Sequence, residues 1–513
     1  VPLIWFYTMA TGWQPSAIRS TIMMTIIVAG WSLKRPTDLL NSLAASALII
    51  LVWDPQQLFQ ASFQLSFFVV LSIALLMPGF QKSRDRWLNP DPLLPLELRP
   101  RWRQWLNFPL RYSSTALATS LAAWLGSLPL IAYYFHLFTP ISLAANFVIV
   151  PLSSFALMAN LGSLFCGTWL PFATELFNHA GWFFMKLMVD SSRWFASRPF
   201  GFLYIPAPSI LACVLFYLLL FTILNGWLFT PLKRVAPLVL LAAALGLSAS
   251  HWRVESRTVK ITALPLSGGD AIFVDAPGGS NDLLIDCGNE RTAEWILKPF
   301  LRGQGVNQLK RVLLTHGDLK HVGGFRKIEE AFSVETALTS TAQFKSPVYR
   351  EIIAELQRKP EHWQKITSGN HLGVWTVLHP QNSDRFPQAD DKAIVLRGEF
   401  FGKSILLLSD LGRLGQNALI EREKISRTDF VVSGLPAQSE PLSNPLIELI
   451  RPGIMVITDA EFPATERASR PLRERLDTQK HLVLYGREEG AVTFVFDQKR
   501  CTIRTASGLT IHY

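Results

Sequence analysis

Residues Thr315-His316-Gly317-Asp318-Leu319-Lys320-His321-Val322-Gly323-Gly324 place two imidazoles and a carboxylate within six positions. They follow the apolar run Arg311-Val312-Leu313-Leu314, which reads as a strand. A strand ending in a loop that presents these groups is a good metal cradle, and imidazole with carboxylate suits Zn or Mn. His316, Asp318 and His321 are therefore candidate ligands, and Asp318 is the catalytic candidate if the site is active. Other reactive-looking residues read more plainly. Cys287 beside Asp286 has no evident paired His and reads as a small buried residue. His379 reads as a structural loop residue, His371 as an exposed turn residue and Asp390-Asp391-Lys392 as a solvated turn. Cys166, Cys213, Cys287 and Cys501 are scattered without a CxxC pair, which supports neither a disulfide framework nor a thiolate zinc site.

Two very different halves must position these groups. Of 513 residues, 49% are hydrophobic, too many for an ordinary soluble protein. Residues 1–250 hold 15 Lys+Arg and 7 Asp+Glu, whereas 251–513 hold 34 and 32. The second half thus has the ~25% charge of soluble domains, and the first does not. The expectation is a membrane domain over 1–250 and a soluble domain over 255–513. The net charge of +10 lies mostly in the first half, so it reports basic loops between membrane helices rather than a basic soluble domain. In the second half, short β-rich runs such as VKITAL, AIFVDA, SILLLSD and IMVITDA alternate with helical stretches. This pattern predicts sheets sandwiched by helices.

Apolar runs predict about nine membrane segments, near 1–11, 17–33, 38–53, 58–80, 113–135, 141–165, 173–195, 208–230 and 235–250. The segment at 173–195 contains Glu175, Lys186, Asp190 and Arg193, so a spanning helix and an interfacial amphipathic helix both fit. The stretch 81–112 holds seven Lys or Arg against three acids, together with Trp87, Trp102 and Trp105, and reads as a cytoplasmic loop. It could contact nucleic acid, or lie against anionic headgroups. If 173–195 spans, the last helix delivers the soluble half to the outer face. Arg19 at a helix mouth, and Gln64 and Ser66 inside a helix, suit a bundle interior or water path, although Arg19 could equally snorkel. The chain is apolar from Val1, which reads as a fragment lacking its N-terminal part.

Gly12, Ser16 and Arg19, then Arg35, then Pro55 and Phe63-Gln64-Leu65-Ser66, and further on Ala145-Asn146 and Pro151, resemble the membrane domain of the ComEC family of DNA-internalisation channels. Ser62 stands where that family has Gly. The soluble half resembles the metallo-β-lactamase-like domain of the same family. The points of likeness are Gly268-Gly269-Asp270-Ala271, Leu284-Ile285-Asp286-Cys287-Gly288, Pro299-Phe300-Leu301-Arg302, the His316 cluster and Leu406-Leu407-Leu408-Ser409-Asp410, whose Asp bridges metals in the family. The implied fold class is a polytopic α-helical membrane domain followed by an α/β metallo-β-lactamase-like αββα sandwich. Two departures stand out. Lys320 occupies the position of a ligand Asp, and a unit charge ~4 Å from another costs about 4 kcal/mol at an effective dielectric of ~20. Leu435-Pro436 stand where the family places His-His-Gly after a strand. His316, Asp318, His321 and Asp410 survive as ligands of a weak or vestigial site, and Lys320 is expected to replace the metal by pairing with Asp318 or Asp410.

The resemblance implies a channel that carries single-stranded DNA across the cytoplasmic membrane in natural transformation, with a non-catalytic outer domain. The alternative is a membrane-tethered metal-dependent nuclease that degrades the non-transported strand. A non-catalytic docking or DNA-binding role for the soluble half is compatible with the channel. No cofactor is expected, with Zn or Mn only if the site is retained. Implied partners are single-stranded DNA, membrane lipid, a DNA receptor and a cytoplasmic ATPase motor, since no P-loop occurs in the chain. A homo-oligomer is left open.

Overall fold

The computed structural model describes residues 1–33, 38–225, 227, 230, 233–267, 269–279, 281–422, 427–478, 481–498 and 500–513, except 89–100. The chain divides into two compact units, Val1–Leu247 with Gly303–Gly305, and Ser248–Arg302 with Val306–Tyr513.

The first unit is helical. Its helices are α1 (Pro2–Ala10), α2 (Pro15–Ser32), α3 (Leu39–Trp53), α4 (Ala61–Leu88), α5 (Arg101–Phe135), α6 (Ser142–Cys166), α7 (Pro171–Ala196), α8 (Ile210–Leu224) and α9 (Val235–Glu255). A minimal ribbon pairs β1 (Leu137–Phe138) with β2 (Leu203–Tyr204). Local chemistry sets the starts. Pro15 opens α2, Asp38 caps α3 through the Leu40 N–H at 3.1 Å, and Ser209 caps α8 through Ala212 at 3.2 Å. Among the described residues four helices, Ala61–Asp85, Pro109–Phe135, Ser142–Cys166 and Val235–Glu255, are long and apolar enough to cross a membrane. α3 and α8, with 15 residues each, reach only ~22 Å of a ~30 Å hydrocarbon core. α7 is a 26-residue helix carrying four charges and is not among those four. Small residues let helices approach closely: a Cβ on Gly126 of α5 would meet Ser72 Oγ of α4, and one on Gly162 of α6 would meet the Phe177 ring of α7. Of the stretch 81–112, expected above as a loop, residues 81–88 and 101–112 are helical, because Gln, Lys and Arg continue a helix beyond its apolar span.

The second unit contains two sheets. One has nine strands in the order β18 (Thr510–His512), β17 (Cys501–Thr505), β16 (Val492–Phe496), β3 (Val259–Leu266), β4 (Gly269–Asp275), β5 (Leu283–Ile285), β6 (Arg311–Leu314), β7 (Thr336–Ser340) and β8 (Trp363–Ile366). The other has seven in the order β15 (Leu482–Tyr485), β14 (Ile454–Ile457), β13 (Phe430–Ser433), β12 (Lys403–Ser409), β11 (Val395–Phe400), β10 (Trp375–His379) and β9 (His371–Leu372). One core lies between the sheets and draws from both, for example Ile261, Leu313 and Phe494 with Leu396, Ile405 and Phe430. A second lies under helices Lys298–Gly303, Phe325–Phe332 and Pro347–Gln357, and a third under Asn444–Ile450 and Arg470–Thr478. The layers are helix, sheet, sheet, helix, which is the αββα sandwich. Strands β5 to β8 run parallel, as do β12 to β15. Ligand sites in parallel sheets form beyond the carboxyl ends of strands, and the His316 cluster sits there.

Candidate functional site

Three segments of the site leave the ends of strands. Asp286 follows β5, Thr315-His316 follows β6, and Ser409-Asp410 ends β12. Asp286 and Ser409 have φ of 57° and 48°, left-handed values that turn the chain sharply beside the site. Asp318 begins the short helix Leu319–Val322, which carries Lys320 and His321 inward. Gly269, at φ 125°, allows β4 to approach that helix: a Cβ there would lie 1.8 Å from the Lys320 carbonyl oxygen.

His321 is fully buried among carboxylates. Nδ1 lies 2.9 Å from Asp286 Oδ2 and 3.1 Å from Asp270 Oδ1, and Nε2 lies 3.0 Å from Asp410 Oδ2. Burial presses its pKa down, but Asp410 and Asp286 outweigh burial and hold it well above the usual imidazole range. Burial also raises Asp286, so one proton serves the pair. We place it on His321, which faces two further carboxylates. Asp286 is also held by the Thr315 N–H at 2.8 Å and the Thr315 hydroxyl at 2.6 Å.

Lys320 Nζ contacts Asp410 Oδ2. It also donates to the Leu435 carbonyl oxygen at 3.2 Å and lies 3.5 Å from Glu466 Oε1. The two positions that depart from the family pattern therefore touch. Leu435 cannot ligate through its side chain, yet its backbone holds the lysine. Burial lowers Lys320, but Asp410, Glu466 and Asp270 outweigh it and keep the ammonium above its ordinary range. Burial likewise raises Asp410, but His321 and Lys320 outweigh it and hold that carboxylate well below its usual range. Gly434 leaves room for this pair, since a Cβ there would lie 1.8 Å from Asp410 Oδ1.

His316 differs from His321. Burial, reinforced by the His321 charge, keeps it neutral, well below the usual imidazole range. Nδ1 lies 2.9 Å from Thr315 Oγ1, while Nε2 is buried with no hydrogen-bond partner. That nitrogen lies 4.0 Å from Asp318 Oδ2 and 3.9 Å from Asp390 Oδ1. Asp390 and Asp391 are buried, contrary to the solvated turn expected above. Asp390 accepts from the Ala437 N–H at 2.7 Å and Asp391 from the Leu414 N–H at 2.9 Å, so backbone donors from remote loops replace water. Burial raises Asp390 to about 6 despite that bond.

Among the described residues three triads offer ligand atoms within 4.8 Å of one another: Asp286, His316 and His321; Asp270, His321 and Asp410; and His316, Asp318 and Asp390. The last fits a cation, because the His316 Nε2 lone pair is unspent and two carboxylates face it. The other two do not. His321 spends both nitrogens on carboxylates, and Lys320 already occupies Asp410. Sequence reasoning named His316, Asp318, His321, Asp410 and Lys320 for this place; it marked Asp270 and Asp286 as points of likeness without a role in the site, and placed Asp390 in a solvated turn. For Asp270 and Asp286 the further signal was a carboxylate just inside or just past a strand. Glu466 had none.

In the helical unit, Arg19 is buried in α2, and Nη1 donates to Ser62 Oγ at 3.3 Å. It does not snorkel, and Ser62, where the family has Gly, supplies its partner. Phe63 packs on Phe67, Leu43 and Ile50. Gln64 donates to the Leu58 carbonyl at 2.9 Å and accepts from the Tyr134 hydroxyl at 3.0 Å. Ser66 and Asn146 are half-buried, whereas Gly12 and Ser16 are exposed at the start of α2. Arg35 lies outside the described residues, as does 89–100 of the basic stretch.

Comparison with known proteins places these units. Residues 1–230 match the Competence protein family and 264–382 match the metallo-beta-lactamase superfamily. ComE operon protein 3 of Bacillus subtilis is 22% identical over 521 residues, covering 96% of this chain and 63% of that protein. Competence protein ComA of Neisseria gonorrhoeae is 25% identical over 419 residues, covering 81% and 52%. The chain thus spans less than two thirds of these relatives. A metallo hydrolase of Ignicoccus hospitalis aligns at TM-score 0.32 and 14% identity, over 46% of this chain and 98% of that one. Residues 1–230 thus resemble the Competence protein family, and they are joined in one chain to a stretch, 264–382, that matches the metallo-beta-lactamase superfamily.

Proposed function

We propose that this chain serves DNA uptake in competence as the component that conducts single-stranded DNA across the cytoplasmic membrane. The observation that carries the reading is the union of a match to the Competence family with a match to the metallo-beta-lactamase superfamily in one chain, which is 22% identical to ComE operon protein 3 along 96% of its length. The membrane part would comprise 1–250 and the soluble part 255–513. If α7 spans, the soluble part faces outward. A DNA receptor would deliver the strand and a cytoplasmic ATPase motor would draw it in. The test is transfer of labelled DNA into a nuclease-resistant form in cells. Deleting the reading frame should abolish transfer and restoring it should rescue transfer; unchanged uptake in the deletion refutes the reading.

The soluble domain, in this reading, is not a hydrolase. Lys320 supplies at Asp410 the positive charge that a metal would otherwise bring, which compensates a buried carboxylate. A second reading, a metal-dependent nuclease, is favoured by one observation, the unpartnered His316 Nε2 facing Asp318 and Asp390. Zn or Mn held there would supply a Lewis acid or an activated water, while His316, Asp318 and Asp390 would bind and orient it. Metal analysis of the purified full chain, with a strand-degradation assay in added Mn or Zn, separates the two. Stoichiometric metal with degradation overturns the non-catalytic reading.

A further inference from the structure

A second feature of the soluble unit lies apart from the buried charges. Helix Pro347–Gln357, strand β8 and the loop 380–392 enclose a groove of about 1200 Å³. That exceeds the ~300–1,000 Å³ of small-ligand clefts and suits a polymer. Five cations line it, Lys345, Arg350, Lys365, Arg385 and Lys392, against one acid, Asp384. The soluble half is otherwise nearly balanced, with 34 basic and 32 acidic residues, so this is a local concentration of charge. Asp384 does not offset it, because that carboxylate is buried and paired with Arg422. None of the five cations pairs with a carboxylate among the described residues. Arg350, Arg385 and Lys392 instead turn toward backbone carbonyls, and such weak tethers leave their charge available.

Aromatic side chains share the lining with these charges. Lys365 Nζ sits 4.8 Å from the centre of the Trp363 ring, and Phe386 is half-exposed in the same lining. A groove lined by cations and aromatic rings suits a single-stranded polynucleotide, whose phosphates meet the charges and whose bases stack on the rings. A flat anionic lipid surface would not enter a groove. At one end Phe344 packs against Gly317, where a Cβ would meet its side chain at 2.4 Å. The groove therefore runs to the loop that bears His316.

We propose that this groove binds single-stranded DNA. The choice of DNA over RNA rests on the competence reading; the binding chemistry does not. The test is fluorescence anisotropy of a labelled dT20 with the detergent-solubilised full chain, compared with K345E/R350E/K365E and W363L. All three reversed residues are exposed, so the triple variant should fold. Each phosphate contact contributes ~0.7 to the slope of log affinity against log salt. The triple reversal should flatten that slope by about 2 and weaken binding at least about tenfold at low salt, and W363L should weaken it about fivefold or more. A labelled U20 and vesicles of phosphatidylglycerol are run alongside. Equal dT20 affinity in parent and triple variant overturns the groove and leaves the channel reading intact. So does the absence of dT20 binding by the parent chain, or binding of vesicles without oligonucleotide. Preference for U20 over dT20 overturns the choice of DNA.

Discussion

Replacing Lys320 by Met tests whether this lysine compensates the buried carboxylates. The change keeps most of the aliphatic stem and removes the charge. Asp410 would lose the ammonium it contacts, and Glu466 would lose its cation at 3.5 Å. Removing one partner of a buried ion pair costs roughly 3–5 kcal/mol. Asp410 keeps the His321 Nε2 proton at 3.0 Å, which offsets about half, so the expected loss is about 1.5–2.5 kcal/mol. In a domain of this size each kcal/mol moves the midpoint by about 2–4 °C, which gives a fall of about 3–10 °C in the soluble unit. Thermal unfolding of the full chain in detergent, with hydrogen exchange read on peptides spanning 315–322 and 404–412, would locate the loss.

Two companion variants separate charge from shape. Lys320→Arg keeps the cation and should recover most of the midpoint. Lys320→Asp adds a carboxylate to Asp270, Asp286 and Asp410, so it should fall further than Met in chelator. Added Zn should then raise the Asp variant, by about 2.7 kcal/mol at a hundredfold excess over Kd, and raise it by more than the Met variant, which keeps only the His316, Asp318 and Asp390 triad. A Met variant that melts with the parent would refute the reasoning, as would a Zn response equal in all three proteins.

The same ion cluster sets a pH dependence. The folded-state pKa of His321 is raised, so its contribution is full below the unfolded value of about 6.5 and declines as pH rises from there toward the folded value. That of Asp410 is lowered, so its contribution is full above about 3.8 and is lost as pH falls below that value. The midpoint of the soluble unit should therefore decline above about pH 6.5, and His321→Gln should flatten that alkaline limb in a melting series from pH 5 to 9; an unchanged limb would place the titration elsewhere. Gly434→Ala puts a Cβ 1.8 Å from Asp410 Oδ1, forcing the carboxylate off His321 and Lys320, and should cost about 2–4 kcal/mol, read as a lower midpoint.

What the sequence could and could not disclose follows from the range of each interaction. His316, Asp318 and His321 share one loop after an apolar strand, so spacing alone placed them together. The nine apolar runs likewise fall on helices among the described residues, because apolar runs of this length favour helix, but only four of those helices are long and apolar enough to cross a membrane. Strands β7 and β8 were not foreseen: Thr-Ala-Leu-Thr-Ser and Trp-Gln-Lys-Ile lack the apolar continuity of β6, and they are strands only because parallel partners supply their hydrogen bonds. Asp390-Asp391 looked solvated because its partners, Ala437 and Leu414, lie 47 and 23 positions away. The decisive contact is the longest of these, Lys320 to the Leu435 carbonyl across 115 positions. Either departure taken alone reads as the loss of a ligand. Brought together they form one substitution in physical terms: a cation on the chain, held by a carbonyl on one side and Asp410 on the other, at the place where the fold gathers its carboxylates. The pairing leaves Asp410 compensated without an ion, which is the condition that the proposed non-catalytic reading places on a buried carboxylate at this position.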